Sequence, residues 1–202
     1  MKRELALQQL EKLKKHLTNL RLAAEGWNSP WQSLISIMLS ARTRDEVTII
    51  VCEKLFEKYK TSKELSNAKI GEIENIIRPV NYYKTKSKNV LECAKILFKT
   101  YTGNPPVDFD KLIELPGVGR KTANVFLSEM GKDAIGVDTH VSQLAQKLKW
   151  TKNTKPEKIE EDLKKLFPKN KWIEINETLV LFGRSHRGKK QDEVLRLAAL
   201  IK

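Results

Sequence analysis

Apolar positions follow the helical period along almost the whole chain, and no segment alternates between apolar and polar residues as a half-buried strand would. Near the N-terminus one apolar stripe is formed by Leu10, Leu13, Leu17 and Leu20. Further helices are predicted from Pro30 through Ala41 and over residues 70–78, 86–101, 108–115, 120–130, 139–149, 156–167, 171–182 and 189–201. The pattern therefore predicts an all-α fold.

Polar residues ahead of two apolar segments mark where helices begin. Ser29 followed by Pro30 is typical of an N-cap with proline in the first helical turn. Thr43 is expected to cap the next helix, because Asp45 and Glu46 then fall in its positively charged first turn.

The helical pattern is interrupted at two places. The first is the turn Pro79-Val80-Asn81-Tyr82-Tyr83, which leads into Lys84, Lys86 and Lys88. The second is Leu115-Pro116-Gly117-Val118-Gly119-Arg120-Lys121, set between two predicted helices. Gly117 can adopt a positive φ without steric cost, and Gly119 lets another backbone come close. Such a turn presents backbone N–H groups at the positive end of the second helix, where a phosphate can bind.

The charge balance favours a polyanionic partner. The 202 residues include 38 Lys and Arg against 25 Asp and Glu, which gives a formal net charge of +13 and a pI of about 9.7. Each phosphate that a basic protein neutralises releases condensed counterions, so this excess favours nucleic acid. The two-glycine turn alone could be an ordinary helix connection. In a chain of this charge it indicates a DNA-binding hairpin.

Several classes of partner and site are disfavoured by the composition. The mean hydropathy is −0.47, and no apolar run approaches the ~18 residues of a membrane span, so we expect no membrane partner. The N-terminal residues mix acids with bases and lack a signal-peptide core. Cys52 and Cys93 support neither a disulfide framework nor a cysteine metal site. We therefore expect a cytoplasmic, nucleoid-associated monomer.

One pair of motifs resembles a known family. LPGVGRKTA at 115–123, followed by GVDTHV at 136–141, resembles the helix–hairpin–helix (HhH-GPD) DNA glycosylase superfamily, and specifically its endonuclease III branch. Softer similarity runs from SLISIMLSARTRDEV at 33–47 to ETLVLFGR at 177–184. The resemblance implies two helical domains flanking a DNA-binding cleft. A six-helix bundle with the hairpin would span residues 24–131, and residues 1–23 with 132–202 would form the second domain.

The resemblance places the catalytic nucleophile at Lys121, directly after the hairpin. Without it, a solvent lysine or a phosphate contact would be the simpler interpretation. The position suits the chemistry, because the positive potential at a helix N-terminus beside Arg120 disfavours the ammonium form. A neutral amine can attack the sugar C1′ and carry a Schiff base.

Asp138 takes the family's carboxylate position, where it would stabilise a developing oxocarbenium and position or deprotonate the lysine. It also stands where the N-cap of the following helix is expected, and both roles can hold together. A helix over 121–131 spans about 15 Å. Seven extended residues reach up to roughly 25 Å, so the chain can fold back to the Lys121 end. Thr139 and His140 are expected to contact DNA by resemblance, with a structural role as the alternative for His140.

Further DNA contacts are implied by the same resemblance. Tyr82 corresponds to a wedge that enters the duplex when a nucleotide is rotated out, with a partly buried aromatic residue as the alternative. Arg42 stands where the family often has a glutamine. It could bond the orphaned base or contact a phosphate, and the preferred opposite base stays open. The other predicted DNA contacts are Leu115, Gly117, Val118, Gly119, Arg120, Lys84, Lys86 and Arg184.

The chain departs from the family pattern at its C-terminus. Many members carry four cysteines after the segment matching LFGR, and these ligate a 4Fe–4S cluster. Residues 185–202 contain no cysteine. We therefore expect no cluster, no other cofactor and no metal site, with a short amphipathic helix closing the domain.

These assignments predict a base-excision DNA repair glycosylase with abasic-site (AP) lyase activity, acting on damaged, oxidised pyrimidines in double-stranded DNA or on abasic sites. The first alternative is a mismatch-specific thymine or uracil glycosylase, or an enzyme for oxidised purines. Lys121 argues against the lyase-deficient mismatch branches, and Asp-Thr-His argues against the purine branches. A non-catalytic hairpin module that only grips DNA is the remaining alternative.

Overall fold

The structure, a computed structural model, describes residues 2–186 and 192–196. Over these residues the regular secondary structure is helical, with no strand. The all-α prediction is confirmed. The α-helices are α1 (Arg3–Lys14), α2 (Pro30–Ser40), α3 (Asp45–Lys58), α4 (Ser62–Ser66), α5 (Ile70–Ile77), α6 (Tyr83–Thr100), α7 (Phe109–Ile113), α8 (Arg120–Glu129), α9 (Thr139–Lys147), α10 (Pro156–Leu166) and α11 (Trp172–Ser185), with a 3₁₀ turn at Lys169–Lys171.

The chain forms two compact units. A central unit comprises Arg21–Met130, and a terminal unit combines Met1–Leu20 with Gly131–Lys202. The bounds predicted from the sequence, 24–131 and 1–23 with 132–202, lie within a few residues of these.

The core of the central unit is built around α2. Every residue from Trp31 to Leu39 is buried, because α3, α6 and α8 pack around this helix. Most of these residues are apolar and the others are uncharged, which is typical of a core helix rather than a surface helix. Trp27 and Trp31 each meet the ring of Phe56 edge-on, at centroid distances of 5.0 and 5.1 Å, and so fasten α3 to this core.

The terminal unit is held by α11, which packs against both α1 and α9. Trp150 lies 4.8 Å from the ring of Phe167, and its indole Nε1 donates a 2.6 Å hydrogen bond to Oε1 of Gln9. Gly183 lets α11 approach α9, since a Cβ there would lie 2.8 Å from Cβ of His140. The start of α9 is therefore fixed by close helix packing.

Two expectations about helix ends are wrong. Helix α1 stops at Lys14, so the predicted stripe does not continue to Leu20, which is exposed after the poor helix formers Thr18 and Asn19. The N-cap of α3 is Arg44 rather than Thr43, and the Thr43 hydroxyl accepts a hydrogen bond from the backbone N of Asn81 instead. Ser29 is the N-cap residue of α2, without a side-chain capping bond.

The predicted helix over 189–201 is described at residues 192–196, which are helical, and its other residues lie outside the described part of the chain. Val194 and Leu195 are buried there. Among the described residues, none of the helices has both the length and the apolar content needed to span a membrane.

Candidate functional site

The two-glycine hairpin connects α7 to α8. Asp108 caps α7 by accepting a 3.0 Å hydrogen bond from the backbone N of Lys111. The turn then closes with a 3.0 Å bond from the backbone N of Val118 to the carbonyl of Leu115. The side chains of Leu115 and Val118 are both buried, so any contact with DNA from these two predicted residues comes from their backbone atoms.

The two glycines of the hairpin differ in backbone conformation and in the space around them. Gly117 has a φ of +80°, and a Cβ there would lie 2.9 Å from both Asn89 and Met38. Gly119 is the N-cap of α8 with a φ of −94°, a conformation open to any residue, and a Cβ there would meet nothing within 4 Å. Gly117 is required by the fold, whereas Gly119 faces open space at the positive end of α8.

Lys121 and Arg120 occupy the first turn of α8. Lys121 is half-buried. Arg120 is exposed, and its guanidinium carbon lies 5.1 Å from the ring centroid of Phe109 in α7. This cation–π contact holds the arginine beside the hairpin. Phe109 was not predicted as a site residue. Its position directly after the helix cap Asp108 is the signal in the sequence that could have indicated it.

Arg42 and Tyr82 lie at the tips of two neighbouring loops, here called the α2–α3 loop (residues 41–44) and the α5–α6 loop (residues 78–82). Nη1 of Arg42 donates a 3.1 Å hydrogen bond to the Tyr82 hydroxyl, and its guanidinium lies 5.7 Å from the Tyr82 ring centroid. Tyr82 is 62% exposed, so the alternative of a buried aromatic residue does not fit. The structure brings these two predicted residues together.

Lys84 and Lys86 differ, although both follow the same turn. Lys84 is exposed in the first turn of α6 and is available to a phosphate. Lys86 is half-buried, and its Nζ donates to the carbonyls of Leu39 (2.7 Å) and Ala41 (2.6 Å). Burial lowers the pKa of Lys86 to about 8. The structure thus gives Lys86 an internal role in place of the predicted DNA contact, because its donors are engaged by the protein.

The remaining predicted residues belong to the terminal unit. Oδ1 of Asp138 accepts a 2.9 Å hydrogen bond from the backbone N of Val141, so Asp138 is the N-cap of α9 as the sequence predicts. Thr139 is exposed at the first position of α9, and His140 is half-buried against Gly183. Arg184 is half-buried in the last turn of α11.

Comparison with known proteins agrees with this geometry. Residues 35–169 match the HhH-GPD superfamily of base excision DNA repair proteins. Endonuclease III of Thermotoga maritima is 44% identical over 77% of this chain and 73% of its own length, and endonuclease III of Bacillus subtilis is 34% identical over 79% and 74%. A solved structure described as a trapped endonuclease III–DNA covalent intermediate superposes with a TM-score of 0.86 at 32% identity, over 94% of this chain and 90% of the other.

The all-helical fold and the two-glycine hairpin ahead of a lysine define a helix–hairpin–helix DNA-repair protein. The chain belongs to the HhH-GPD superfamily, in its endonuclease III branch. The predicted resemblance is confirmed.

The side chains do not fit the iron–sulfur cluster that many members of this family carry. A cluster of that type needs four thiolates, and the whole chain has two cysteines, Cys52 and Cys93. Both are fully buried in helices of the central unit, and burial raises the pKa of each thiol, to about 12 for Cys93. Among residues 2–186 and 192–196, no group of three His, Cys, Asp or Glu side chains is arranged to hold a metal ion.

The two hairpin glycines generate a paired prediction. Gly119→Ala should leave the free energy of unfolding within about 0.5 kcal/mol of wild type, since the methyl group meets open space. It should nevertheless weaken binding to damaged and undamaged duplexes alike, because phosphates that approach α8 carry no sequence information. Gly117→Ala should cost about 1–3 kcal/mol of stability through its strained φ and its contacts with Asn89 and Met38.

Urea unfolding and fluorescence anisotropy with a labelled duplex, repeated over a salt series, measure both effects. Wild-type affinity in Gly119→Ala would show that no phosphate approaches the start of α8.

Proposed function

We propose that this protein excises oxidised pyrimidines from duplex DNA and then cleaves the abasic strand by β-elimination through a lysine Schiff base. The observation that carries the proposal is Lys121, held in the first turn of α8 directly behind the DNA-binding hairpin. A homologue with the same fold has been trapped as a covalent intermediate with DNA, which supports a covalent route here.

In this proposal Lys121 is the nucleophile. Its Nζ attacks C1′ of the damaged nucleotide, the N-glycosidic bond breaks, and the base departs with a proton. Ring opening leaves an imine between Nζ and C1′. Removal of a C2′ proton then expels the 3′ phosphate, and hydrolysis of the imine returns the free amine. The first step needs the neutral form of this amine.

Asp138 is proposed as the carboxylate that stabilises positive charge as the glycosidic bond breaks. Its capping bond to the Val141 N–H uses one lone pair on Oδ1 and fixes the side chain. A carboxylate has a second oxygen with full acceptor capacity, so capping and charge stabilisation are compatible. A negative group that is already fixed needs no reorganisation when charge develops.

Arg42 and Tyr82 are proposed to fill the gap that nucleotide rotation leaves in the duplex. The support is their pairing at two adjacent loop tips, where an exposed aromatic ring and a guanidinium are held against each other. The ring can stack between bases, and the guanidinium can donate to the orphaned base.

The proposed substrates are oxidised pyrimidine bases in duplex DNA. Oxidised pyrimidines are favoured because Lys121 supports a lyase and because Asp138-Thr139-His140 keeps the family sequence. Duplexes that carry an oxidised pyrimidine, an oxidised purine, uracil, or thymine opposite guanine separate the alternatives in one glycosylase screen. Excision of mismatched thymine or uracil with no action on oxidised pyrimidines would refute the proposed class.

The first prediction from this mechanism concerns Lys121. Lys121→Ala should still bind DNA, but should form no borohydride-trapped complex and should lose roughly 10³-fold or more of its single-turnover incision rate. Lys99→Ala, at an exposed position in the last turn of α6, is the matched control and should trap as wild type does. If Lys121→Ala traps normally, the nucleophile is another residue.

The second prediction separates the two roles of Asp138. Asp138→Asn keeps a capping oxygen, so its unfolding midpoint should match wild type while excision falls roughly 10²–10³-fold. Asp138→Ala should also lose about 1 kcal/mol of stability. Asp108→Asn, the same change at the cap of α7, is the control and should leave activity unchanged. Normal activity in Asp138→Asn would leave the residue with a capping role alone.

The third prediction is that the purified protein contains no iron and cleaves abasic DNA fully in EDTA. The reason is the ligand set, since the chain offers two buried, protonated thiols where a cluster needs four thiolates. Elemental analysis and incision assays with and without chelator provide the measurement. Stoichiometric iron, or activity lost in EDTA, would contradict it.

A further inference from the structure

The ammonium group of Lys86 lies at the junction of the α2–α3 loop and the α5–α6 loop. Besides its bonds to the carbonyls of Leu39 and Ala41, its Nζ lies 3.5 Å from Oγ1 of Thr43. The same Oγ1 accepts a 3.2 Å hydrogen bond from the backbone N of Asn81. The Asn81 side chain in turn donates to the carbonyl of Arg42. One lysine, one hydroxyl and one amide thus join the two loops.

The electrostatics explain why a cation occupies this junction. Lys86 is in the first turn of α6, where the helix dipole disfavours positive charge, and that turn contains no acidic residue. Its side chain reaches instead to the last carbonyls of α2, at the negative end of that helix, where a cation is favourable. Burial works against the charge, as the lowered pKa shows. The bonds to carbonyl oxygens offset part of that cost.

Both loop tips are strained in the same way. Arg42 has a φ of 57° and Tyr82 a φ of 61°, in the left-handed region that residues with a side chain rarely adopt. Such residues persist only where their surroundings over-determine the backbone. Here the surroundings are the bonds at Ala41, Arg42 and Asn81, which lie at or next to the two strained positions. The strain and the bonds together hold the Arg42 guanidinium at the Tyr82 hydroxyl.

We infer that Lys86 is a positioning residue for base excision, which locks the two loops so that Arg42 and Tyr82 enter the duplex as one preassembled unit. The inference rests on the proposed gap-filling role of that pair. Lys86 itself contacts neither DNA nor the reacting atoms; it acts through the backbones at 39–43.

This role separates two activities of the protein. Excision of a base from an intact duplex requires the nucleotide to be rotated out and the gap to be filled. Cleavage of a preformed abasic site in single-stranded DNA requires no gap filling and depends on Lys121 and Asp138. Loss of the lock should therefore slow the first reaction and leave the second near its wild-type rate.

The test uses the full chain with Lys86→Met, which keeps the length of the side chain and removes the charge and the donors. Single-turnover excision from a lesion duplex should fall roughly tenfold to a hundredfold, the effect expected for lost hydrogen bonds to a charged group. The single-turnover rate of cleavage of single-stranded abasic DNA should fall by less than about threefold. Lys88→Met, an exposed lysine of the same helix with the same charge change, should alter neither rate.

A double-mutant cycle shows whether Lys86 acts through Arg42 and Tyr82. Combining Lys86→Met with Tyr82→Ala should slow excision no further than the slower single variant, since both remove the same function. Rates that multiply would overturn the inference. Stopped-flow fluorescence of 2-aminopurine beside the lesion should show slower unstacking in Lys86→Met, a signal that general destabilisation would not change selectively.

Thr43→Val is the second variant, should Lys86→Met fold poorly. It removes the hydroxyl shared by Asn81 and Lys86 and keeps the side-chain volume. It should show the same selective loss of duplex excision. Wild-type excision in both variants, or equal loss of both reactions, would refute the positioning role. A wild-type protein that neither excises nor traps would refute the proposed function instead.

Discussion

The placement of Lys121, the proposed nucleophile, depends on one backbone conformation, the left-handed turn at Gly117. There the hairpin passes so close to Asn89 and Met38 that a side chain at residue 117 has no room. Asn89 belongs to α6 and Met38 to α2, so the turn packs against both helices, and Leu115 and Val118 are buried on either side of Gly117. Helix α8 begins at Arg120, and Lys121 takes its place from that starting point. The position of Lys121 is thus fixed relative to the core of the central unit by the close approach at Gly117 and by the burial of Leu115 and Val118.

Helix positions were predictable because each helix buries a periodic face. The segment predicted over 120–130 forms α8 at Arg120–Glu129, and the segment predicted over 156–167 forms α10 at Pro156–Leu166. The hairpin and the cap at Asp138 were predictable for another reason, since each depends on residues within one short stretch of sequence. Contacts between distant loops carry no such local signal. From the sequence, the Thr43 hydroxyl is predicted to cap a helix. In the structure it accepts a hydrogen bond from Asn81, which belongs to another loop.

The sequence contained a weak signal that Lys86 is partly buried rather than a surface lysine. Residues two apart on a helix lie about 200° apart around its axis, so Lys84 and Lys86 cannot share an environment. Val90, Cys93 and Leu97 mark the buried face of α6, and Lys86 falls one helical turn before Val90. The spacing thus puts Lys86 in line with the apolar stripe. Its partners could not be predicted, because they are backbone carbonyls of α2, and backbone groups leave no trace in a sequence pattern.

In the proposed reaction the Lys121 amine has to move, whereas the Asp138 carboxylate has to stay in place. The amine must move, since it changes from a half-buried side chain to a group bonded to the sugar while the base departs. A lysine in a first helical turn suits this, because its backbone is fixed and its long side chain has many rotamers. The carboxylate must stay in place, because its value lies in a negative charge already positioned when the positive charge appears. Asp138 has a short side chain, held by the Val141 N–H and followed by a helix that packs closely at His140 and Gly183. In the proposed mechanism the capping bond therefore also serves catalysis, since it restricts the motion of the group that would stabilise the charge.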